Sequence, residues 1–212
     1  MYAQPNSSDI RFFISILGQD RVRSDADSLT AAASDMTEDF VFLPSVVVFP
    51  DSTLQVSQLM AHCHERHIPV TVRGAGTGLS GGALPVHGGI VLSTARMNAH
   101  PTVDTQNMQV HVQPGVITQV LQECVEEHGL FYPPDPSSRG SSFIGGNLAE
   151  SSGGPRAVKY GVTKDYVLNL EVVLADGRIM ETGANVLKNA TGYNLTQLMV
   201  GSEGTLAVIT RI

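Results

Sequence analysis

A ten-residue loop of small side chains, Arg73 to Gly82, carries the strongest chemical signal in the chain. Its five glycines and one alanine leave successive backbone N–H groups unobstructed, so the loop can wrap an anion as a nest. The hydroxyls of Thr77 and Ser80 add two donors, and Arg73 is either a charge for a phosphate or an ordinary surface residue. A glycine-rich turn without a ligand is disfavoured, because so many glycines cost backbone entropy on folding. The loop therefore predicts a binding site for a phosphate-bearing ligand.

Two common nucleotide motifs do not account for this loop. The glycine spacing in residues 76–81 fits the dinucleotide pattern G-x-G-x-x-G, which requires a following helix and an acidic residue about 20 positions later. Pro85 and the glycine pair at 88–89 prevent a long helix, and no carboxylate lies between the loop and Asp104. A P-loop is also excluded, because no Gly-Lys-Ser/Thr follows.

The elements around the loop indicate a β-α-β unit. The β-branched run at 41–50 predicts a strand, and Ser52 with Gln55 predicts a capping box that opens a helix carrying apolar residues to Cys63. The segment Pro69 to Arg73 returns as a strand that leads directly into the glycine loop. The order of these elements places the loop at the end of a strand.

Other segments are assigned by their periodicity and turn residues. We predict helices at 9–17, with Ser8 as a possible N-cap, and at 116–128, 144–154 and 193–199; strands at 89–94, 109–113 and 205–212; and a hairpin of 166–175 with 178–181. The hairpin turns at Asp176-Gly177, a dipeptide typical of tight turns. The segment 133–138 is rich in proline and predicts a rigid loop.

Composition narrows the classes of partner. Lys and Arg total 13 against 20 Asp and Glu, giving a net charge of −7, which disfavours nucleic acid and anionic membrane surfaces. No run approaches the roughly 20 apolar residues of a membrane span. The two cysteines follow no secretory signal, so we expect a cytoplasmic protein.

Three further constellations have ordinary explanations. His62-Cys63-His64 and His67 invite a metal interpretation, but no fixed carboxylate or distant cysteine pair completes a tetrahedral set, and we predict no metal site. Glu126-Glu127 fits a solvated helix end rather than an acid/base pair. Lys159-Tyr160 is equally compatible with a contact to a cofactor and with a packed tyrosine beside a surface lysine.

Six motifs together resemble a known family. They are the loop at 73–85, Pro-Gly-Val at 114–116, Pro-Asp-Pro-Ser-Ser at 134–138, Ile-Gly-Gly-Asn-Leu-Ala-Glu at 144–150, Lys-Tyr-Gly at 159–161 and Gly-Ser-Glu-Gly-Thr-Leu at 201–206. In this order they resemble the FAD-binding domain of the vanillyl-alcohol oxidase / p-cresol methylhydroxylase family. Within that family they are most similar to the glycolate oxidase D subunit and D-lactate dehydrogenase branch.

The resemblance implies an α+β fold with two lobes that hold FAD between them. On this basis residues 1–34 form an N-terminal helical segment, 35–102 a small β-α-β lobe, and 103–212 a larger mixed-sheet lobe. It also implies that the substrate-binding groups lie in a C-terminal domain outside this chain, so that the chain is a fragment or a separate subunit. Catalytic residues are therefore not assigned.

The same resemblance implies a set of cofactor contacts. The pyrophosphate would meet Gly74, Ala75, Gly76, Thr77, Gly78, Leu79, Ser80 and Gly81. Pro114 and Gly115, with Asp135, Pro136, Ser137 and Ser138, would lie along the cofactor. Gly145, Gly146, Glu150, Ser151 and Gly153, with Tyr160 and Gly161 nearby, would approach the ribityl chain and isoalloxazine, and Glu203, Gly204, Val208 and Ile209 would meet the adenosine half.

The implied function is a flavin-dependent dehydrogenase or oxidase of 2-hydroxy acids such as D-lactate or glycolate, with hydride transfer from the substrate α-carbon to flavin N5. The loop holds no histidine, so the FAD would be bound non-covalently. Phe143 and Ala207 depart from the usual hydroxyl-bearing residue and glycine of the family pattern. The alternatives are a non-catalytic FAD- or nucleotide-binding module and a sugar-nucleotide reductase that shares the fold.

Overall fold

Four strands from the first half of the chain form one sheet in the computed structural model, which describes residues 2–212. They are β1 (Val22–Arg23), β2 (Val46–Val48), β3 (Val70–Arg73) and β4 (Ile90–Ser93), in the spatial order β1-β2-β4-β3. Strands β2, β4 and β3 are parallel, and β1 pairs antiparallel with β2. The predicted β-α-β order around the glycine loop is therefore confirmed.

Three helices accompany this sheet: α1 (Ser7–Leu17), α2 (Ala26–Ala31) and α3 (Thr53–Arg66). Helix α1 was expected, but its N-cap is Asn6 rather than Ser8, because the Asn6 side chain accepts from the backbone of the first turn. The capping box predicted at the start of α3 is wrong. The Ser52 side chain makes no cap hydrogen bond.

The second half of the chain forms two antiparallel sheets. A hairpin pairs β5 (Thr102–Asp104) with β6 (Gln109–His111), and a three-stranded sheet has the order β8-β7-β9. Its strands are β7 (Glu171–Leu174), β8 (Ile179–Glu181) and β9 (Ala207–Arg211). Strands β7 and β8 join at Asp176-Gly177, as the turn signal predicts, and Gly177 has the positive φ of 87° that this turn requires.

Four further helices complete the second half. They are α4 (Thr118–Glu126), α5 (Ile144–Glu150), α6 (Ala157–Tyr160) and α7 (Leu195–Met199). Single 3-10 turns occupy Gln19–Arg21 and Thr163–Tyr166. No helix within residues 2–212 combines the length and the apolar character that crossing a bilayer demands.

Two apolar cores meet at the three-stranded sheet. Val173 on β7 joins the core of the first sheet, which contains Phe13 and Leu59. Its neighbour Val172 joins the other core, together with Leu148 of α5 and residues of α4. Successive side chains of a strand point to opposite faces, so one strand serves both cores. Both parts of the chain are therefore packed onto a common layer.

The fold class is confirmed as α+β, with a parallel β-α-β part and a second part built on antiparallel sheets. Of the strand predicted at 41–50, only Val46–Val48 forms, while Val41 and Leu43 are 69% and 61% exposed. The short strands β1 and β5 were not predicted, because they stand in polar stretches without an alternating or β-branched run.

Candidate functional site

The glycine loop leaves the parallel sheet at the carboxyl end of β3. Arg73 at the end of β3 is in register with Ser93 of β4, and the backbone N–H of Thr94 donates to the Arg73 carbonyl at 3.0 Å. The carboxyl ends of neighbouring parallel strands form a common edge, where such sheets bind ligands. The local sequence thus delivers the loop to the expected edge of the sheet.

Helix α5 is held near the same edge by close backbone approach. The N–H of Gly145 donates to the carbonyl of Pro114 at 2.9 Å, and a Cβ on Gly145 would lie only 2.6 Å from the Pro114 Cβ. The N–H of Gly115 donates to Met97, and a Cβ on Gly115 would overlap the carbonyl oxygen of Thr94. Glycine at 115 and 145 is therefore required by packing, because it lets this turn fit between β4 and α5.

A third wall comes from the segment between α7 and β9. The N–H of Gly201 donates to Leu148 and the N–H of Glu203 donates to Ala149, both at 2.9 Å, so the segment is attached to α5. Glu203 and Gly204 both have positive φ, at 54° and 72°. This left-handed turn brings the start of β9 back toward the glycine loop.

The three walls enclose an open cleft with an empty volume of about 1070 Å³, counting the solvent at its mouth. The cleft is lined by Asp35, Val72, Gly74, Ala75, Gly76, Thr77, Gly78, Gly82, Ala83, Thr94, Pro114, Ser138, Ser142, Phe143, Gly145, Gly146, Asn147, Ala149, Glu150, Ser152, Met199, Ser202, Glu203, Gly204, Ala207 and Ile209.

Four of the lining glycines have no structural need to be glycine. Gly74, Gly78, Gly82 and Gly146 all lack a positive φ. A Cβ would find its nearest protein atoms 3.6 to 3.8 Å away at the first three, and none within 4 Å at Gly146. Side chains at these positions would project into the cleft without disturbing the protein. The bare wall fits an extended ligand that approaches the backbone closely, as the phosphates of a dinucleotide do.

The glycine loop has a cation on one side and a carboxylate on the other. The Arg73 guanidinium lies behind Gly76, where a Cβ would overlap it, and donates to the Ala31 carbonyl at 3.4 Å. Burial lowers the pKa of Arg73, and the nearby Asp35 carboxylate opposes that shift. A guanidinium stays protonated even so. The loop therefore has a partly buried cation next to Gly76.

A carboxylate faces the loop from the opposite side. The Ser80 hydroxyl donates to Oε1 of Glu150 at 2.9 Å. The same oxygen is the closest atom to the positions where Cβ atoms of Gly78 and Gly82 would stand. Ser80, expected as a donor toward the ligand, is thus engaged by the chain itself.

Thirteen of the predicted cofactor contacts line the cleft. They are Gly74, Ala75, Gly76, Thr77, Gly78, Pro114, Ser138, Gly145, Gly146, Glu150, Glu203, Gly204 and Ile209. These residues come from five separate segments of the chain, which the fold brings to one place.

The other predicted contacts lie beside or away from the cleft. Leu79 and Ser137 are exposed, Ser80 and Gly81 lie on the outer turn of the loop, and Gly115 is enclosed by β4. Val208 is buried in the core of the first sheet. Ser151 and Gly153 follow α5, and the Ser151 hydroxyl is buried without a partner.

Asp135 and Tyr160 belong to a separate cluster with their neighbours Pro136 and Gly161. The Asp135 carboxylate is bound by Arg139 at 2.6 Å and by Arg156 at 3.2 Å. The Lys159 ammonium lies 4.7 Å from the centroid of the Tyr160 ring. In the structure these side chains serve each other rather than the cleft.

Several lining residues were not anticipated. Asp35, Thr94 and Met199 lie outside the six motifs and reach the cleft only through the packing of distant segments, whereas Asn147 lies within the motif at 144–150 but was not predicted as a contact. Phe143 had been noted only as a departure from the family pattern, and it lines the cleft as well. Since α5 follows it directly, its place in the wall could have been inferred from position alone.

The histidine cluster of α3 has a structural role at its first member. Nε2 of His62 and Nε of Arg66 bond to the buried carboxylate of Asp9 on α1, at 2.9 and 3.2 Å. Burial raises the pKa of Cys63 to about 12, so its thiol stays protonated. His62 thereby joins α1 to α3.

Comparison with known proteins gives three matches that agree. The family model described as FAD binding domain matches residues 44–183. Glycolate oxidase subunit GlcD of Bacillus subtilis is 49% identical over 176 residues, which are 83% of this chain and 37% of that protein. D-lactate dehydrogenase of Archaeoglobus fulgidus is 48% identical over 166 residues, 78% of this chain and 37% of that protein.

A solved structure supports the fold. The chain aligns with an alkyldihydroxyacetonephosphate synthase at a TM-score of 0.86 and 24% identity, covering 99% of this chain and 40% of that one. This likeness concerns the fold alone. The chain spans about two fifths of the length of the proteins it matches.

The bare-walled cleft, the matching family model and the similarity to these relatives lead to one conclusion. The chain belongs to the FAD-binding domain family, in the glycolate oxidase D subunit and D-lactate dehydrogenase branch of the vanillyl-alcohol oxidase / p-cresol methylhydroxylase proteins.

Proposed function

We propose that this chain holds FAD non-covalently in the cleft and serves as the cofactor-binding part of a flavin-dependent dehydrogenase or oxidase of D-lactate- or glycolate-type 2-hydroxy acids. The observation that carries the proposal is the wall of glycines at 74, 78, 82 and 146, which the protein itself does not require. The names of the related glycolate oxidase subunit and D-lactate dehydrogenase support the substrate class.

The contacts of the cofactor follow from the position of each wall. The backbone N–H groups of residues 74–78 would hold the diphosphate, because this part of the loop is nearest to Arg73. The α5 wall around Gly146 and Glu150 would face the ribityl chain and isoalloxazine, and the turn at Glu203 and Gly204 would face the adenosine half. Asp135, Ser137, Tyr160 and Gly161, which the cleft does not include, would act indirectly by supporting the walls.

Non-covalent binding is supported by the chemistry of the lining. Covalent attachment of a flavin requires a nucleophilic side chain beside the ring. Within residues 2–212, the lining of the cleft contains no histidine, cysteine or tyrosine. The cofactor would therefore be retained by hydrogen bonds, charge and the fit of the cleft.

In an enzyme of this kind the cofactor would supply the chemistry, and the protein would bind and orient it. FAD held in the cleft would supply the acceptor for a hydride from the α-carbon of the hydroxy acid. The residues described above would bind and orient the cofactor, and the apolar lining of Val72, Phe143, Met199 and Ile209 would keep water from part of it. Groups that bind the substrate would come from a further domain or a partner subunit, since the chain covers about two fifths of its relatives.

The free buried thiols of Cys63 and Cys124 favour a reducing compartment, and we propose the cytoplasm.

Gly146→Ala tests the cofactor site. Alanine has the higher helix propensity, so the cofactor-free variant should be as stable as the wild type or more so. Its methyl group would stand in the cleft, so FAD affinity, measured by flavin fluorescence, should fall about tenfold or more. Gly140→Ala, at an exposed position outside the lining of the cleft, is the control. Gly76 is unsuitable for this test, because its positive φ and the guanidinium behind it make any substitution strain the loop.

Undiminished FAD binding by Gly146→Ala would contradict the proposed site, and absence of flavin bands after FAD is added to the wild type would contradict the cofactor. Turnover requires a separate experiment. Anaerobic bleaching of the bound flavin by D-lactate or glycolate, with and without a candidate partner domain, separates the dehydrogenase from a non-catalytic FAD module. Reduction by NADPH instead would favour the sugar-nucleotide reductase.

A further inference from the structure

A cluster of buried polar atoms without partners surrounds the glycine loop. Four side-chain atoms in the described chain are buried and make no hydrogen bond, and three of them are Nη1 of Arg73, Oδ2 of Asp35 and Oγ1 of Thr37. The Thr37 hydroxyl lies 4.0 Å from the position of a Cβ on Gly81. Burying an unpaired polar group costs free energy, so three such atoms at one loop require an explanation.

The segment that carries Asp35 and Thr37 was not assigned to the site by its sequence. Asp35 accepts from the backbone N–H of Thr37 at 2.8 Å through Oδ1, which forms a local turn and leaves Oδ2 free. The Asp35 side chain also lines the cleft. The segment therefore joins the floor of the glycine loop to the cofactor cleft.

The charges of Arg73 and Asp35 interact, but the two side chains do not form an ion pair. Within residues 2–212, Arg73 donates only to the Ala31 carbonyl, and Asp35 has no bond to it. The carboxylate nevertheless raises the pKa of Arg73 against the effect of burial. A contact ion pair would cancel most of the positive potential at the loop, whereas two separated charges leave part of it in place.

The position of the Arg73 guanidinium decides how its positive potential reaches a ligand in the cleft. The guanidinium occupies the space that a Cβ of Gly76 would fill, and Arg73 is absent from the lining of the cleft although Gly76 belongs to it. Its Nη1 is buried, so a ligand in the cleft would interact with the charge across the loop. Water screens buried charges poorly, so the interaction reaches across the thickness of one backbone.

Resting on the proposed function, we propose that Arg73 is the partly buried counter-charge of the cofactor diphosphate, and that Asp35 attenuates it and so determines how strongly the loop prefers an anionic ligand. Arg73 is a positioning residue in this scheme, since it also supports the loop beneath Gly76. Removal of the Asp35 charge must then tighten FAD binding, and removal of the Arg73 charge must weaken it.

The experiment measures FAD affinity of the complete chain by flavin fluorescence for four variants. Asp35→Asn retains the Oδ1 acceptor for Thr37 and removes only the charge, so FAD should bind about tenfold more tightly. Arg73→Gln should bind it at least tenfold more weakly, and Arg73→Lys, which keeps the charge, should recover part of that loss. Asp39→Asn is the matched control, because it removes an exposed carboxylate in the same segment and should change affinity little.

The direction in which FAD affinity changes separates this electrostatic role of Arg73 and Asp35 from a purely structural one. A residue that only supports the fold cannot tighten binding when it is replaced, so a weaker or unchanged affinity in Asp35→Asn relative to Asp39→Asn would overturn the proposal. Retention of wild-type affinity by Arg73→Gln would also overturn it. A wild-type chain that fails to bind FAD would instead contradict the proposed function, and thermal denaturation of each cofactor-free variant identifies any that does not fold.

Discussion

The hydroxyl of Ser80 donates to the carboxylate of Glu150 at 2.9 Å and so links the glycine loop to the end of α5. These two residues are far apart in sequence, and their contact spans two walls of the cleft. A carboxylate here lies beside a loop that is built to receive an anion. The contact therefore favours a cofactor whose phosphates lie nearer to Arg73 than to Glu150.

Replacement of Glu150 by Gln should tighten the binding of ADP. Glu150 is exposed, and exposed charge interactions amount to about 0.2 to 1 kcal/mol, so the gain should be at most about fivefold and smaller at high salt. Calorimetric titration with ADP at two ionic strengths checks this, with Glu65→Gln on the exposed face of α3 as the control. Weaker ADP binding by Glu150→Gln would show that the carboxylate contacts the nucleotide favourably.

Asp9→Ala should destabilise the chain without emptying the cofactor site. The Asp9 side chain is only 2% exposed and bonds to His62, Arg66 and the backbone N–H of Asn6. Removing one member of such a buried network leaves its partners unsatisfied, so we expect a loss of about 2 to 4 kcal/mol in the free energy of unfolding. Urea denaturation measures it, and FAD affinity of the folded fraction should stay at the wild-type value.

The same carboxylate makes stability depend on pH. Burial raises the pKa of Asp9, but the hydrogen bonds from Asn6, His62 and Arg66 outweigh that effect, so its pKa lies below the ordinary value of 3.8. Its contribution to stability is complete above that value and is lost as the pH falls through the lower pKa of the folded state. The difference in unfolding free energy between wild type and Asp9→Asn should therefore be constant near neutral pH and shrink below pH 3.8. A difference that persists unchanged in acid would contradict this assignment.

Gly115→Ala should disturb the placement of α5. A Cβ at this position would overlap the Thr94 carbonyl oxygen, although its φ is not positive. Overpacking of this kind costs about 1 to 3 kcal/mol, and the shift should also weaken FAD binding because α5 forms one wall of the cleft. Thermal denaturation compares it with Gly140→Ala, where a methyl group meets only the flexible end of Gln119. Equal melting temperatures for Gly115→Ala and Gly140→Ala would mean that the turn at Gly115 accommodates the methyl group without loss of stability.

Asp135→Ala should loosen the segments on either side of it. Its carboxylate is 5% exposed and joins Arg139 to Arg156, which is also attached to the ring of Phe131 by a cation–π contact. We expect a loss of about 2 kcal/mol in stability, and faster amide exchange in residues 136–142 and 154–160. Arg139→Gln and Arg156→Gln should each cost less than about 1 kcal/mol, because both side chains are half exposed and each leaves the other in place. Loss of FAD affinity without loss of stability would instead place Asp135 at the cofactor.

Local signals in the sequence identified much of the fold. The hairpin at Asp176-Gly177, the helix α1 and the strand that feeds the glycine loop all depend on residues a few positions apart, which periodicity and turn chemistry report directly. The strand β1 gives no such signal, because its two residues stand in a polar stretch without an alternating or β-branched run. It forms because a neighbouring strand offers hydrogen bonds, and that partner lies elsewhere in the chain.

The sequence by itself was enough to predict that the loop at 74–82 receives a phosphate-bearing ligand, because the backbone freedom of glycine is a property of the residue. Tertiary structure alone decided which other groups surround that loop. It placed Asp35 in the lining of the cleft and Glu150 beside the loop, and it enclosed Asp135 between two arginines away from the cleft. Such contacts join segments far apart in sequence, and they depend on how two cores pack against one sheet, which no short pattern of residues encodes.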